Sequence, residues 1–161
     1  MRKSKPVVTF LIDSAETRGG YTFSRIHRGR DLSFGGCKTV PLPAGDYAVE
    51  IAGEVLPCMV ERKALGDLFG VVGNGRERFV RELEKLQWMT SYIVIEADFD
   101  EVKHGFERSA VSGEAALGSL IHWSVMYGVH PIFAGSHRQG REATQRLLEE
   151  FAKHWLERFT A

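Results

Sequence analysis

The sequence is poor in cysteine and has no long apolar run, and each absence excludes a class of protein. Its two cysteines, Cys37 and Cys58, form no CxxC pair and have no histidine at zinc-finger spacing. This excludes a disulfide framework or a structural zinc site and favours a reducing, cytoplasmic location. No stretch approaches the roughly 18 apolar residues of a transmembrane helix. The apolar stretch that ends at Asp13 predicts a first strand rather than a signal peptide, so we expect no membrane partner.

Charge is balanced overall, with 21 Lys and Arg residues against 21 Asp and Glu residues. Residues 1–47 hold eight basic and four acidic side chains, a net charge of +4, so residues 48–161 carry −4. This balance excludes a generally basic nucleic-acid coat but allows a local basic surface, whose binding to DNA would depend strongly on salt. The length of 161 residues and the 43% hydrophobic content are those of one soluble globular domain.

Short apolar runs alternate with segments of helical periodicity along the chain. Strands are predicted over residues 7–12, 46–51, 56–61, 92–96 and 130–134. Helices are predicted on either side of the breaker at residues 73–75, from the N-cap Ser112 to Gly128, and from about residue 138. Residues 14–38, rich in Gly, Arg and Ser, predict a long loop with room for a short helix. This alternation predicts a single α/β domain with a mixed sheet covered by helices on both faces.

The helix that begins at Ser112 has apolar residues at helical spacing up to Gly128. The residues that keep the period of 3.6 are Leu117, Leu120, Ile121 and Val125. Residues 46–51 and 56–61 are predicted to pair as an antiparallel hairpin with Gly53 in the turn.

Charged residues at the ends of this hairpin carry the chemistry. Because side chains alternate along a strand, Glu61 and Lys63 project to one side and Arg62 to the other. Antiparallel pairing brings Asp46 close to Glu61, and Asp13 is a third carboxylate at a strand end. Grouped carboxylates without a histidine or thiolate favour a hard divalent cation, Mg²⁺ or Mn²⁺. A neighbouring lysine can position a water molecule or stabilise charge on a phosphate.

Taken alone, the Glu-Arg-Lys triplet at residues 61–63 is typical of surface ion pairs at a strand end. The longer pattern is more specific. Gly-Asp-Tyr at residues 45–47, followed by that triplet and by Asp67, resembles the signature of the XPF-type structure-specific DNA endonucleases, a branch of the restriction-endonuclease-like superfamily. The resemblance spans residues 7–155 and includes the family's first-strand motif, basic turn and core strand, at residues 12–16, 74–76 and 93–96.

The resemblance implies an XPF-like nuclease domain over residues 1–161, with a restriction-endonuclease-like fold. It implies hydrolysis of DNA phosphodiester bonds with Mg²⁺ or Mn²⁺, at branched or single-strand-containing DNA in repair or recombination. Asp46 and Glu61 would bind the metal together with Asp13, and Lys63 would handle the attacking water. The remaining implied roles are phosphate binding or anchoring of acidic groups by Arg62, orientation of basic side chains by Asp67, DNA-backbone binding by Arg76 and Arg78, and an outer position in the site for Glu16.

Two departures from the family pattern affect these implications. Ala15 stands where the family has an arginine, and Arg18 is a candidate replacement. Family members that recognise branch junctions carry a tandem helix-hairpin-helix domain after the nuclease, and this sequence has none, so no junction preference is implied. A homodimer, or a partner that supplies a DNA-binding domain, is expected to add affinity for DNA. Members commonly dimerise through the region that here holds Trp123, Met126 and Tyr127, which we otherwise interpret as core residues.

Several alternatives stay open. Arg25 and Arg28, in the long loop, form either a solvated face or an arm that contacts DNA phosphate. The domain itself is alternatively a catalytically silent DNA-binding or dimerisation module of the same fold. A third alternative is a restriction- or resolvase-like nuclease that shares only the Glu-x-Lys chemistry. No Walker-type phosphate loop is present, so no nucleotide cofactor is expected.

Overall fold

A computed structural model describes residues 4–16, 19–27 and 30–159. Its strands are β1 (Val7–Asp13), β2 (Ser33–Val40), β3 (Tyr47–Ile51), β4 (Glu54–Val55), β5 (Cys58–Lys63), β6 (Thr90–Ile95) and β7 (Val129–Phe133). Its helices are α1 (Leu65–Val72), α2 (Arg76–Leu86), α3 (Phe99–His104), α4 (Gly113–Tyr127) and α5 (His137–Phe159). In this described part of the chain, no helix combines the length and hydrophobicity needed to cross a membrane.

The strands form one mixed sheet in the order β2-β1-β3-β5-β6-β7, with β4 paired to β3. β3 is antiparallel to both β1 and β5, whereas β1 and β2 are parallel, as are β5, β6 and β7. Leu11 and Trp123 belong to a core cluster between the sheet and helices α1, α2 and α4. Phe10 and Leu148 belong to a second cluster, between the opposite face, α5 and the segment before β2. The predicted single α/β domain with helices on both faces is therefore confirmed.

The loop predicted over residues 14–38 is wrong in its second part, because residues 33–40 form the edge strand β2. One of the glycines that indicated a loop, Gly35, is required by the pairing of this strand. A Cβ atom on Gly35 would lie 2.6 Å from Cγ1 of Val7 on the neighbouring strand. The ladder also shifts register between Val8 and Phe10. Glycine at an irregular edge strand marks such a close approach of two backbones.

The remaining predicted elements are present, with local differences. The turn at Gly53 closes β3 onto the two-residue β4, and β5 then pairs with β3 between Tyr47 and Val60. The short helix α3, absent from the predicted elements, is stabilised by a capping box between Asp98 and Glu101.

Helix α4 begins after Ser112 and ends at Gly128 as predicted, but only part of its periodic apolar set is buried. Leu117 and Leu120 are buried, whereas Ile121 and Val125 are 63% and 79% exposed. Trp123 is fully buried, and the helix turns part of its apolar surface outwards.

Candidate active site

The site begins at the tight turn that leads into β3. Gly45 has a φ of +76°, and a Cβ atom on this residue would lie 3.2 Å from Cβ of Met59, so a side chain is disfavoured there. The N–H of Asp46 donates to the carbonyl of Val60 at 2.8 Å, and the carbonyl of Asp46 accepts from the N–H of Asp13 at 2.8 Å. Backbone bonds on both sides therefore fix Asp46 between β1 and β5.

Asp46 and Glu61 form a pair of largely buried, interacting carboxylates. Oδ2 of Asp46 accepts a hydrogen bond from the N–H of Arg62 at 2.7 Å. Burial, and next the charge of Glu61, raise the pKa of Asp46 to about 8. Burial also raises the pKa of Glu61, and the charges of Glu16 and Glu82 add to the effect. Burial therefore disfavours the charged form of both carboxyl groups, and a bound cation would favour that form.

Lys63 lies beside this pair, as the alternation along β5 predicts. Its Nζ donates to Oε1 of Glu61 at 2.6 Å and lies 4.9 Å from the ring centroid of Phe79. Burial by itself would lower the pKa of Lys63, but the carboxylate of Glu61, followed by Asp46 and Asp67, offsets it and leaves the pKa raised. Lys63 is therefore a charged ammonium group at neutral pH.

Arg62 projects to the other side of β5 and is held by carboxylates. It donates to Oε1 of Glu96 at 2.6 Å and to Oε1 of Glu16 at 2.9 Å, and its side chain is only 11% exposed. Burial would lower the pKa of Arg62, but the hydrogen bonds to Glu16 and Glu96 raise it. Oε2 of Glu96 in turn contacts Nδ1 of His137 at 2.5 Å. These contacts tie the end of β5 to β6 and to the start of α5.

Asp13, the third carboxylate of the predicted metal site, accepts hydrogen bonds from two backbone N–H groups. Its Oδ1 accepts from the N–H of Leu42 at 2.7 Å and its Oδ2 from the N–H of Ala15 at 3.0 Å. Within residues 4–16, 19–27 and 30–159, no three His, Cys, Asp or Glu side chains are grouped closely enough to hold a metal ion. The structure thus brings Asp46 and Glu61 together without assembling a three-carboxylate site, and a metal-binding role for Asp13 stays a prediction.

The residues expected to contact DNA have different environments. Arg76 is turned towards α4, where it donates to Oγ of Ser119 at 2.7 Å and lies 5.3 Å from the ring centroid of Trp123. Arg78 and Arg25 are exposed, and Arg28 lies outside the described residues. Asp67, in the first turn of α1, is exposed and close enough to Lys63 to raise its pKa.

Three residues of the site were missed by the sequence reasoning: Glu82, Glu96 and His137. Glu96 follows β6, the parallel neighbour of β5, and its N–H donates to the carbonyl of Lys63 at 2.9 Å. The carboxyl ends of neighbouring parallel strands meet at one edge of a sheet, so this signal was present in the sequence. Glu82 and His137 reach the site from helices, and no local pattern identifies them.

The mixed sheet, with a carboxylate pair and a lysine where β3 meets β5, defines an XPF-type nuclease domain. The ERCC4 domain family model matches residues 12–147, and the chain therefore belongs to the ERCC4 domain family. The resemblance stated from the motifs is confirmed. No curated protein sequence matches the chain.

Solved structures agree on the fold. XPF from Aeropyrum pernix is 16% identical, with 95% of this chain and 82% of that chain covered and a TM-score of 0.59. XPF from Aeropyrum pernix in complex with DNA is 17% identical, with 92% and 66% covered and a TM-score of 0.60. The expected restriction-endonuclease-like fold of the XPF nuclease is therefore confirmed.

Proposed function

We propose that this protein is a divalent-metal-dependent endonuclease that hydrolyses phosphodiester bonds in DNA. The observation that carries the proposal is the pair of buried carboxylates, Asp46 and Glu61, beside the charged ammonium of Lys63. Membership of the ERCC4 domain family supports it, as does the similarity in fold to an XPF that was solved in complex with DNA.

The donor atoms around Asp46 and Glu61 fit Mg²⁺ or Mn²⁺. They are carboxylate oxygens, and burial, which raises the pKa of both groups, favours a cation that would take the place of their protons. Asp46 and Glu61 would hold the ion, and the prediction for Asp13 adds a third oxygen ligand. When bound, such an ion activates a water molecule and neutralises charge on the phosphate.

The basic side chains of β5 would have different roles in the reaction. Because its pKa is raised, Lys63 donates hydrogen bonds and does not remove a proton. It would orient the attacking water and stabilise the negative charge that develops on the phosphate. Arg62 would keep Glu16 and Glu96 in place, and the exposed Arg78 would contact the DNA backbone.

The substrate class and the setting follow from the family resemblance. We propose branched or single-strand-containing DNA as the substrate and repair or recombination as the process, in the cytoplasm. A homodimer, or a partner that supplies a DNA-binding domain, would add affinity. In the proposed homodimer, the exposed apolar surface of α4 would form the contact.

Cleavage of end-labelled DNA tests the proposal. Single-stranded, duplex, splayed-arm and flap substrates are incubated with Mg²⁺ or Mn²⁺, and with EDTA as the metal-free control. We expect metal-dependent cuts that Lys63→Ala slows by about a hundredfold or more, as for the loss of one preorganised electrostatic group. Lys103→Ala, which removes an exposed lysine on α3, is the matched control and should cleave as the wild type does.

The pattern of products separates the alternatives. Binding without cleavage on every substrate would contradict the proposal and favour a catalytically silent module of the same fold. Paired cuts at symmetric duplex sites would indicate a restriction- or resolvase-like enzyme, because a two-fold dimer presents two equivalent sites to its substrate.

A further inference from the structure

A polar groove lies between the segment before β2 and helix α5, outside the carboxylate–lysine site. Its volume is about 920 Å³. Its charged lining consists mainly of arginine, with a single carboxylate in the described part of the chain: Arg25, Arg138, Arg141, Arg146 and Glu142. We call this feature the arginine groove.

The arginines of the groove are available to a ligand. Among the described residues, none of the four forms an ion pair. Arg25, Arg138 and Arg146 are exposed, and Arg141 donates to Oε1 of Gln145 at 3.0 Å. Several like charges without carboxylate partners create a positive local potential that attracts an anion.

Buried side chains of α5 hold the groove in shape. Nε2 of Gln145 donates to the carbonyl of Arg25 at 2.8 Å and to Oε1 of Glu149 at 2.8 Å. The same Glu149 oxygen accepts from the N–H of His27 at 2.8 Å, and the Glu149 side chain is fully buried. The backbone that carries Arg25 is therefore fixed against α5 before any ligand binds.

A path of contacts links the groove to Arg62, on the side of β5 opposite to Glu61 and Lys63. Arg138 follows His137, which contacts Glu96, and Glu96 accepts from Arg62. Arg138 and Arg146 are eight residues apart on one helix, which places them about 12 Å apart along its axis. One strand of a DNA duplex carries a phosphate about every 3.4 Å along the axis, so this length matches about three phosphates.

We propose that the arginine groove binds the phosphate backbone of a DNA strand of the substrate. The proposal rests on the proposed function, because it takes DNA as the substrate. The described part of the groove is lined by no Phe, Tyr or Trp ring, so we expect its contacts with DNA to be mainly electrostatic. Binding there is insensitive to sequence and strongly dependent on salt.

The test compares two double variants of α5 that remove the same charge. The groove variant, Arg138→Ala/Arg146→Ala, removes two exposed arginines of the groove. The control variant, Lys153→Ala/Arg158→Ala, removes two exposed basic residues elsewhere on the helix. Affinity for a fluorescein-labelled DNA strand is measured by anisotropy in EDTA at several salt concentrations. Thermal melting of each variant confirms that it is folded.

We expect the groove variant to bind about tenfold more weakly near 0.1 M salt, with a salt slope reduced by about 1.4, as for two lost single-strand phosphate contacts. The control variant should stay within about twofold of the wild type. Equal losses in both variants, no loss in either, or a wild type that binds no DNA would overturn the inference.

Because EDTA prevents cleavage, the binding result is independent of the proposed activity. A specific loss in the groove variant supports the inference even if the wild type cleaves nothing. The opposite result is that the wild type cleaves DNA in a metal-dependent way but the groove variant binds DNA as tightly as the control variant does. That result would overturn the inference and would leave the proposed function supported.

Discussion

Asp46 changes its protonation on folding. Burial and the charge of Glu61 raise its pKa to about 8, whereas an aspartate in an unfolded chain titrates near about 3.9. Between these two pH values, the folded protein keeps a proton that the unfolded chain has lost. The stabilising contribution of Asp46 is therefore complete below about pH 4 and is lost as the pH rises towards about 8.

Replacing Asp46 with asparagine should remove this pH dependence. Asparagine keeps an oxygen that can accept from the N–H of Arg62 but never carries the charge. In EDTA, we expect Asp46→Asn to exceed the wild type in free energy of unfolding by on the order of 1–3 kcal/mol above about pH 8, and by little near pH 4. Urea denaturation across this range measures the difference. Parallel pH profiles for the two proteins would contradict the assigned environment.

Arg62 is expected to matter for stability because its two partners are buried. Arg62→Ala would leave Glu16 and Glu96, whose side chains are 9% and 7% exposed, without their main cation. Breaking a buried ion pair by removing one partner costs about 3–5 kcal/mol. Arg81→Ala, which removes an exposed helical ion pair with Glu77, should cost less than about 1 kcal/mol. Chemical denaturation that gave the two variants equal losses would exclude the anchoring role of Arg62.

Among the elements, the edge strand β2 has no room for a side chain at Gly35, whereas helix α4 has room for one at Gly118. Gly35→Ala places a methyl group against Val7 and Thr9 and should destabilise the protein by about 1–3 kcal/mol, as other overpacked sites do. Gly118→Ala on α4 meets open space and should stabilise the helix by up to about 1 kcal/mol. Thermal melts of both variants measure these opposite signs. A neutral or stabilising Gly35→Ala would show that β1 and β2 are not closely packed at this residue.

Elements with local signals were predictable from the sequence. Helices α1 and α2 are separated by the breaker at residues 73–75, and Ser112 caps α4, so both followed from short-range patterns. Strand pairing then placed Asp46 beside Glu61. Contacts between distant residues were not predictable in this way. The hydrogen bond from Gln145 to the carbonyl of Arg25, which shapes the arginine groove, joins residues 120 positions apart.

At the scale of the whole molecule, a net charge of zero conceals two regions of opposite sign. The carboxylates around Asp46 and Glu61 form an acidic site that favours a cation, and the arginine groove on another part of the surface favours phosphate. The arginines of the groove would attract the phosphates of a DNA strand. A cation bound by Asp46 and Glu61 would offset the repulsion between those carboxylates and the phosphates. Local charge therefore predicts more about ligands than the sum over the chain does.

The molecule also leaves apolar surface uncovered on α4. Ile121, Val125 and Met126 are 63%, 79% and 57% exposed, and the first two lie one helical turn apart. Apolar residues grouped on an exposed helix face mark an interaction surface. The family resemblance indicates which partner would cover this face, because family members commonly dimerise through this region. We therefore expect a second copy of the chain to cover this face.

An acidic side chain at the centre of this face should prevent dimerisation, because an unpaired charge is costly to bury. We expect the wild type to sediment as a dimer and Val125→Asp as a monomer, with the dimer dissociation constant raised at least about tenfold. Trp88→Asp, at a site that is 84% exposed outside α4, is the matched control and should leave the dimer intact. Sedimentation velocity over a range of concentrations measures all three proteins. A monomeric wild type, or equal behaviour of the two variants, would show that this face does not join two copies of the chain.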